Sequence, residues 1–240
     1  MSKIIIIGAG AMGSAFSIPC IENNNEVILV GTHLENDLIK NIKLNDNYHP
    51  ALNIKLPPKL KIESFEKLQT ILKGRVDLIV VGVSSLGINW FVNQISNSYK
   101  KNLPIILLTK GLAIVESELI TLSDKIKKLL EEKGHKEVNI SSVKGPCLAA
   151  GLANKMRTGT VIANSNIKET QKLKKIIATN YYSTEISNDL IGVELSSAIK
   201  NIYSMLIGAA EGLSNSKAPK EIQSKYYLNT SASLIHRSIS

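Results

Sequence analysis

Four isoleucines in a row, Ile4-Ile5-Ile6-Ile7, run directly into Gly8-Ala9-Gly10-Ala11-Met12-Gly13, and an apolar helical pattern continues over Ala11–Glu22. A β-branched run of this kind reads as a strand buried on both faces. The turn after it must be tight, and its glycines are spaced for three separate tasks. Gly8 makes the bend, Gly10 lets backbone approach a pyrophosphate, and Gly13 lets the helix pack closely on the strand. The first helical turn, with Ala11 and Met12, then offers unpaired N–H groups to an anion. Strand, glycine turn and helix in this order predict a dinucleotide site.

The next 170 residues repeat the strand–helix alternation. Apolar runs predict strands at 26–30, 76–83, 103–109, 138–143 and 160–163. Helical spacing falls between several of them, at 64–72, 87–95, 118–131 and 166–178. Such alternation makes an α/β fold: a Rossmann-type, doubly wound, mostly parallel sheet with helices on both faces. Residues 41–59, with Pro50, Pro57 and Pro58, interrupt the pattern as an excursion from the sheet. After residue 187 the chain turns wholly helical, with one long pattern over 189–213 that Asp189 caps and Gly212 ends. A polar loop is expected at 215–224 and a further helix at 226–237. The division is a dinucleotide-binding domain at 1–187 and the beginning of an all-helical substrate domain at 188–240.

Several side chains stand at places where an open sheet binds ligands. The second strand ends Val30-Gly31-Thr32-His33 without the carboxylate that takes the adenosine ribose of NAD. Thr32 and His33 are candidates to meet a 2′-phosphate, Glu35 comes slightly late, and the choice between NAD and NADP stays open. Lys110 follows an apolar strand at its carboxyl end, just before Gly111. Lys144-Gly145-Pro146-Cys147-Leu148 forms a turn after another strand and leads into a short helix at 149–154. Cys147 has no histidine near it in sequence, so a small buried or ligand-facing thiol is the reading preferred over a nucleophile. Lys200 sits inside the long helix among Ile199, Ile202 and three serines, a setting in which a lysine can move a proton.

Composition narrows the classes further. Lysine and arginine number 29 against 20 acidic residues, a net charge of +9, but the cations are spread along the chain and aromatic residues make up 5%. That favours a solvated basic surface over a nucleic-acid face, and the field suits a small anionic ligand. The longest apolar runs fall far short of the ~18 residues that span a bilayer, so no membrane span is expected. Cys20 and Cys147 are the only cysteines, and the chain enters directly into its first strand with no leader; both point to the cytoplasm. The four histidines lack metal-ligand spacing, and no metal site is expected.

Three segments together resemble the bacterial and archaeal NAD(P)-dependent glycerol-3-phosphate dehydrogenases. They are Thr109-Lys110-Gly111-Leu112, then Gly145-Pro146-Cys147-Leu148-Ala149, and above all Ile191-Gly192-Val193-Glu194-Leu195-Ser196-Ser197-Ala198-Ile199-Lys200-Asn201. Residues 49–57 and 229–237 are similar to family segments as well. The resemblance implies hydride exchange between NAD or NADP and carbon 2 of glycerol 3-phosphate, interconverting it with dihydroxyacetone phosphate. It implies that Lys200 transfers the proton, and that Asn201 and Lys110 orient and polarise the C2 oxygen. Lys110 would also reach the cofactor, Gly145 and Cys147 would touch substrate, and Ala149 the cofactor.

The chain also departs from the family. Cys147 replaces a serine, Ala11-Met12 replaces a polar–aromatic pair, and Ser196-Ser197 replaces paired glycines. The family's later aspartate and Ser-Arg-Asn run, whose arginine grips the phosphate, are not in these 240 residues. The alternative is therefore a truncated, catalytically incomplete NAD(P)-binding remnant. An apolar face on the long helix would then call for a homo-oligomer or for a partner supplying the missing helices. A ketopantoate or imine reductase would share the glycine turn but leaves the run from Ile191 to Asn201 unexplained.

Overall fold

Each of the four isoleucines of the first strand is fully buried, and they serve two cores alternately. Ile4 and Ile6 join Val27, Leu29, Leu78, Val80 and Ile106 in one core, while Ile5 and Ile7 join Ile28, Val30, Ile79, Val81, Ile105 and Leu107 in the other. Successive side chains of a strand point to opposite faces, so one sheet serves both cores. Each fully buried isoleucine contributes ~2 kcal/mol of transfer free energy.

The computed structural model describes residues 1–217, and the chain divides into two compact units, Met1–Leu195 and Ser196–Ser240. In chain order the elements begin β1 (Lys3–Ile7), α1 (Ala11–Glu22), β2 (Glu26–Val30), α2 (Asn36–Leu44), β3 (Tyr48–His49), β4 (Ile54–Lys55), β5 (Lys61–Glu63), α3 (Leu68–Lys73) and β6 (Leu78–Val81). They continue α4 (Ile88–Ile95), β7 (Ile105–Leu107), β8 (Leu112–Val115), β9 (Glu118–Thr121), α5 (Leu122–Glu132), β10 (Ile140–Lys144), α6 (Ala149–Ala153), β11 (Thr158–Ala163), α7 (Ile167–Ile177), β12 (Tyr182–Ser187) and α8 (Leu190–Lys217).

The main sheet has eight strands in the order β12-β11-β10-β7-β6-β1-β2-β5. Its pairings are parallel except β10 with β11, so β11 and β12 run against the other six. The chain winds outward from β1 through β2 to β5, then returns to the other side of β1 with β6. Between β1 and β6 lies the switch point where such sheets open a crevice at their carboxyl edge. Helices α1, α2, α6 and α7 cover one face through Phe16, Ile39, Leu152 and Leu173; α3, α4 and α5 cover the other through Leu68, Phe91 and Ile126.

Some sequence-based expectations need correction. The helix expected over 118–131 starts only at Leu122. Glu118–Thr121 is β9, paired with β8 through a turn in which Glu116 and Ser117 both have positive φ (52° and 67°). Thr121 then caps α5, its side-chain oxygen accepting from the N–H of Asp124 at 3.1 Å. The helix expected over 64–72 is split into a tight 3-10 turn, Phe65–Lys67, followed by α3. Helix α2 and strands β5 and β12 were not anticipated. The long helix does not end near Gly212 but continues to Lys217, taking in Asn215 and Ser216 of the expected loop. The rest of that loop and the helix expected at 226–237 lie outside the described residues.

Asp189 does cap α8: its Oδ1 accepts from the N–H of Gly192 at 2.8 Å. Within the first unit, Leu190 and Glu194 of this helix are buried, whereas Ile191 and Leu195 are exposed. By length and composition alone, Leu190–Ala209 is apolar enough to cross a bilayer, which the sequence reading did not register. Its start is docked on protein, because the Glu194 carboxylate accepts from Ser142 Oγ and from the Ser123 N–H at 3.2 Å. In the second unit the helix continues from Ser196, and Ser204 Oγ donates to the carbonyl of Lys200 at 3.3 Å.

Candidate functional site

Three glycines interlock at the switch point. A Cβ on Gly13 would lie 2.1 Å from the Gly8 carbonyl oxygen, and one on Gly8, whose φ is +111°, would lie 2.6 Å from the backbone of Gly82. No side chain fits at any of these contacts, so the turn after β1, the start of α1 and the end of β6 approach at backbone distance. Gly8 N–H donates to Val30 O at 2.9 Å, and Gly82 N–H to Ile7 O at 2.8 Å. The N-terminus of α1 has Gly10 as its cap, no capping side chain and no acidic residue in its first turn, so its amides and positive dipole end are open to an anion. Two side chains brace the turn at the Ala9 carbonyl: Ser14 Oγ at 3.0 Å and buried His49 Nε2, also at 3.0 Å.

Beside the turn is a cleft of about 320 Å³ lined by Met12, Gly82, Val83, Leu108, Thr109, Lys110, Cys147, Leu148 and Ala149. It gathers the carboxyl ends of β6, β7 and β10, and its walls are mainly apolar. A larger polar cleft of about 730 Å³ includes Pro104 and Asn139, at the opposite ends of β7 and β10, away from the glycine turn. The smaller one has the chemistry of a site. Lys110 stands at its rim, donating to the carbonyl of Gly145 at 3.2 Å. Gly145, with φ +159°, must lack a side chain because a Cβ would meet Gly159 O at 2.8 Å.

Below the rim lies a second lysine. Lys144, the last residue of β10, is 4% exposed, and its ammonium donates to Leu107 O at 3.1 Å and to Thr109 O. Burial pulls its pKa down to about 8; nearby Glu194 opposes that shift and Lys110 adds to it. It ties the end of β7 to β10 and so sets where Lys110 emerges. Cys147 is buried, and desolvation pushes its thiol upward against smaller lowering effects of Thr158 and Lys110. A protonated buried thiol suits a contact, not a nucleophile.

Residues 3–170 match the family described as NAD-dependent glycerol-3-phosphate dehydrogenase N-terminus. The chain belongs to that family. Among curated relatives, the NADP(+)-dependent glycerol-3-phosphate dehydrogenase of Archaeoglobus fulgidus is 32% identical over 231 residues, covering 95% of this chain and 66% of the relative. The glycerol-3-phosphate dehydrogenase [NAD(P)+] of Shouchella clausii is 28% identical over 217 residues, covering 89% and 61%. The chain thus spans 61–66% of these relatives' length, less than two thirds. A solved glycerol-3-phosphate dehydrogenase of Plasmodium falciparum superposes with a TM-score of 0.78 at 21% identity, over 98% of this chain and 65% of that one, and so shares the fold.

In this member of the glycerol-3-phosphate dehydrogenase family, Gly8, Gly10, Ala11, Met12, Gly13, Thr32, Lys110, Gly145, Cys147 and Ala149 all lie at the carboxyl edge of the first unit's sheet. His33 is exposed there, yet it is more than a loop residue. Its ring lies 5.1 Å from that of Trp90 and 6.1 Å from that of Phe65. Lys200 and Asn201 belong to α8 in the second unit. Sequence reasoning missed Gly82 and His49, set Glu35 aside as slightly late, and named Lys144 only as the start of a turn. Gly82 carried a signal, a glycine directly after the apolar strand β6. His49 and Lys144 carried none, because burial of a lone polar residue is not visible in periodicity.

Proposed function

We propose that this chain binds NAD or NADP in the crevice between β1 and β6 and works in the interconversion of glycerol 3-phosphate and dihydroxyacetone phosphate. The observation that carries the reading is the backbone-close packing of Gly8, Gly13 and Gly82 beside an apolar cleft with Lys110 at its rim. The glycines and the open N-terminus of α1 would hold the pyrophosphate. When bound, the nicotinamide accepts or returns the hydride of substrate carbon 2. The lining from Met12 to Ala149 gives the transfer a mainly apolar wall.

Lys200 takes the C2 hydroxyl proton as the hydride leaves and returns it in reduction, while Asn201 and Lys110 orient the oxygen. Gly145 and Cys147 border the substrate. Lys110 at the sheet edge suits a small phosphorylated substrate whose C2 oxygen develops negative charge. Residues 1–187 are the dinucleotide-binding domain in this reading, and 188–240 open the helical substrate domain. A homo-oligomer or a partner chain is the cover proposed for the apolar residues that α8 exposes. The buried free thiols Cys20 and Cys147 support a reducing, cytoplasmic setting.

The test is oxidation of NADH and NADPH by the purified chain, with and without dihydroxyacetone phosphate, alongside Lys200→Ala. Turnover that depends on the substrate and drops by about a hundredfold or more in the variant is expected for a general acid. Cofactor binding without turnover would instead mark a dinucleotide-binding half that acts on nothing by itself.

A further inference from the structure

We propose that Glu35 selects NAD(H) against NADP(H), an inference that rests on the dinucleotide reading above. By position in sequence Glu35 comes slightly late after β2 for a ribose ligand. The fold removes that distance. After β2 the chain closes a turn, with Glu35 N–H donating to Thr32 O at 3.0 Å, and the side chain is carried back over the end of the strand. There one carboxylate oxygen, Oε2, accepts two backbone N–H bonds, from Ala9 at 3.0 Å and from Thr32 at 2.7 Å.

Ala9 is the residue between the first two glycines of the turn, and Thr32 is the second residue past β2. These two amides flank the place over a glycine turn where an adenosine ribose sits and where NAD-binding folds put an acid. The other oxygen, Oε1, lies toward Gly10, 3.7 Å from where a Cβ would stand there, and has no hydrogen-bond partner among the described residues. One oxygen is anchored and the other is presented to a ribose hydroxyl.

A 2′-phosphate would bring a charge of about −2 against this carboxylate. The carboxylate cannot swing away without giving up two charge-assisted hydrogen bonds. The segment Gly31-Thr32-His33-Leu34-Glu35-Asn36 offers such a phosphate only Thr32 and His33, and no lysine or arginine. The preference would set this chain apart from the Archaeoglobus fulgidus relative, which is named as NADP(+)-dependent.

The experiment titrates the full chain with NADH and with NADPH and reads energy transfer from Trp90, its only tryptophan, to the reduced nicotinamide. NADH is expected to bind about tenfold or more tightly, as like-charge juxtaposition predicts. Glu35→Gln keeps an oxygen for the Ala9 and Thr32 amides but removes the charge. It should strengthen NADPH binding and shift the ratio by about tenfold, and added salt should narrow the wild-type preference. Wild-type chain binding NADPH as tightly as NADH would overturn the proposal with no variant needed. So would a ratio that Glu35→Gln leaves unmoved. If neither dinucleotide bound, the cofactor reading beneath it would fall too.

Discussion

Lys144 is the residue whose chemistry departs most from its sequence context. A lysine at the end of Ile140–Lys144 looks like a strand's solvent-facing terminus, but the chain buries it and satisfies it with the carbonyls of Leu107 and Thr109. Its pKa of about 8 in the folded state lies below the value of ~10.4 for an unfolded lysine. Between those values the unfolded chain binds more protons than the folded one, so stability rises with pH across that window. Below about pH 8 the cost of holding the charge is fully present. A shift of this size corresponds to ~3 kcal/mol. Melting curves from pH 7 to 10.5 should therefore show the wild type gaining on Lys144→Met as pH rises. Parallel curves for the two would show that Lys144 is not held charged in a dry site.

At the scale of elements, the cap of α8 offers a direct measurement. Asp189 Oδ1 satisfies the Gly192 amide, and the Asp189 carboxylate lies over Gly192, where a Cβ would stand 2.1 Å from Oδ2 and push that side chain aside. Asp189→Ala should cost ~1 kcal/mol in denaturant unfolding; a loss within experimental error would mean that Glu194 and its bonds to Ser142 and Ser123 hold the helix start unaided. The elements that sequence reading recovered were those whose signals are local. β1, the glycine turn and α1 are written in adjacent residues, and their bounds match.

What it lost depended on partners distant in sequence. β5 is three residues that become a strand only because β2 lies alongside, and β12, Tyr182–Ser187, is an edge strand alternating buried and exposed residues. The β8–β9 turn uses Glu116 and Ser117 at positive φ, where glycine or asparagine would have announced it. The site shows the same divide. The glycines and the lysine after β7 could be picked out as candidates, but the placement of Glu35 is set by a turn that returns its side chain to the loop after β1. Spacing along the chain brought Glu35 up only as a late candidate, because it does not show the turn that carries the side chain back.

Taken whole, the first unit places its crevice where both cores meet. Ligand there would touch segments leading from β1, β2, β6, β7 and β10, which between them feed every buried layer of the sheet. Cofactor binding should therefore stabilise the unit as one body instead of stiffening a loop. NADH at a hundred times its dissociation constant is expected to add ~2.7 kcal/mol, seen as a rise in Tm that grows with concentration. A Tm indifferent to saturating NADH would argue against binding in this crevice.

The monotony of β1 raises a question of bookkeeping along the chain. A one-residue slide of Ile4-Ile5-Ile6-Ile7 would still leave isoleucine at three of the four buried positions, so the side chains inside the run say little about where it stops. That information sits at the ends. Lys3 N–H donates to Asp77 Oδ2 at 2.8 Å, and Gly8 N–H to Val30 O. Sliding would push Ile7 into the place of Gly8, where φ is +111° and Gly82 leaves no room for a Cβ. The residue that opens the crevice is also the stop that fixes the phase of the whole sheet.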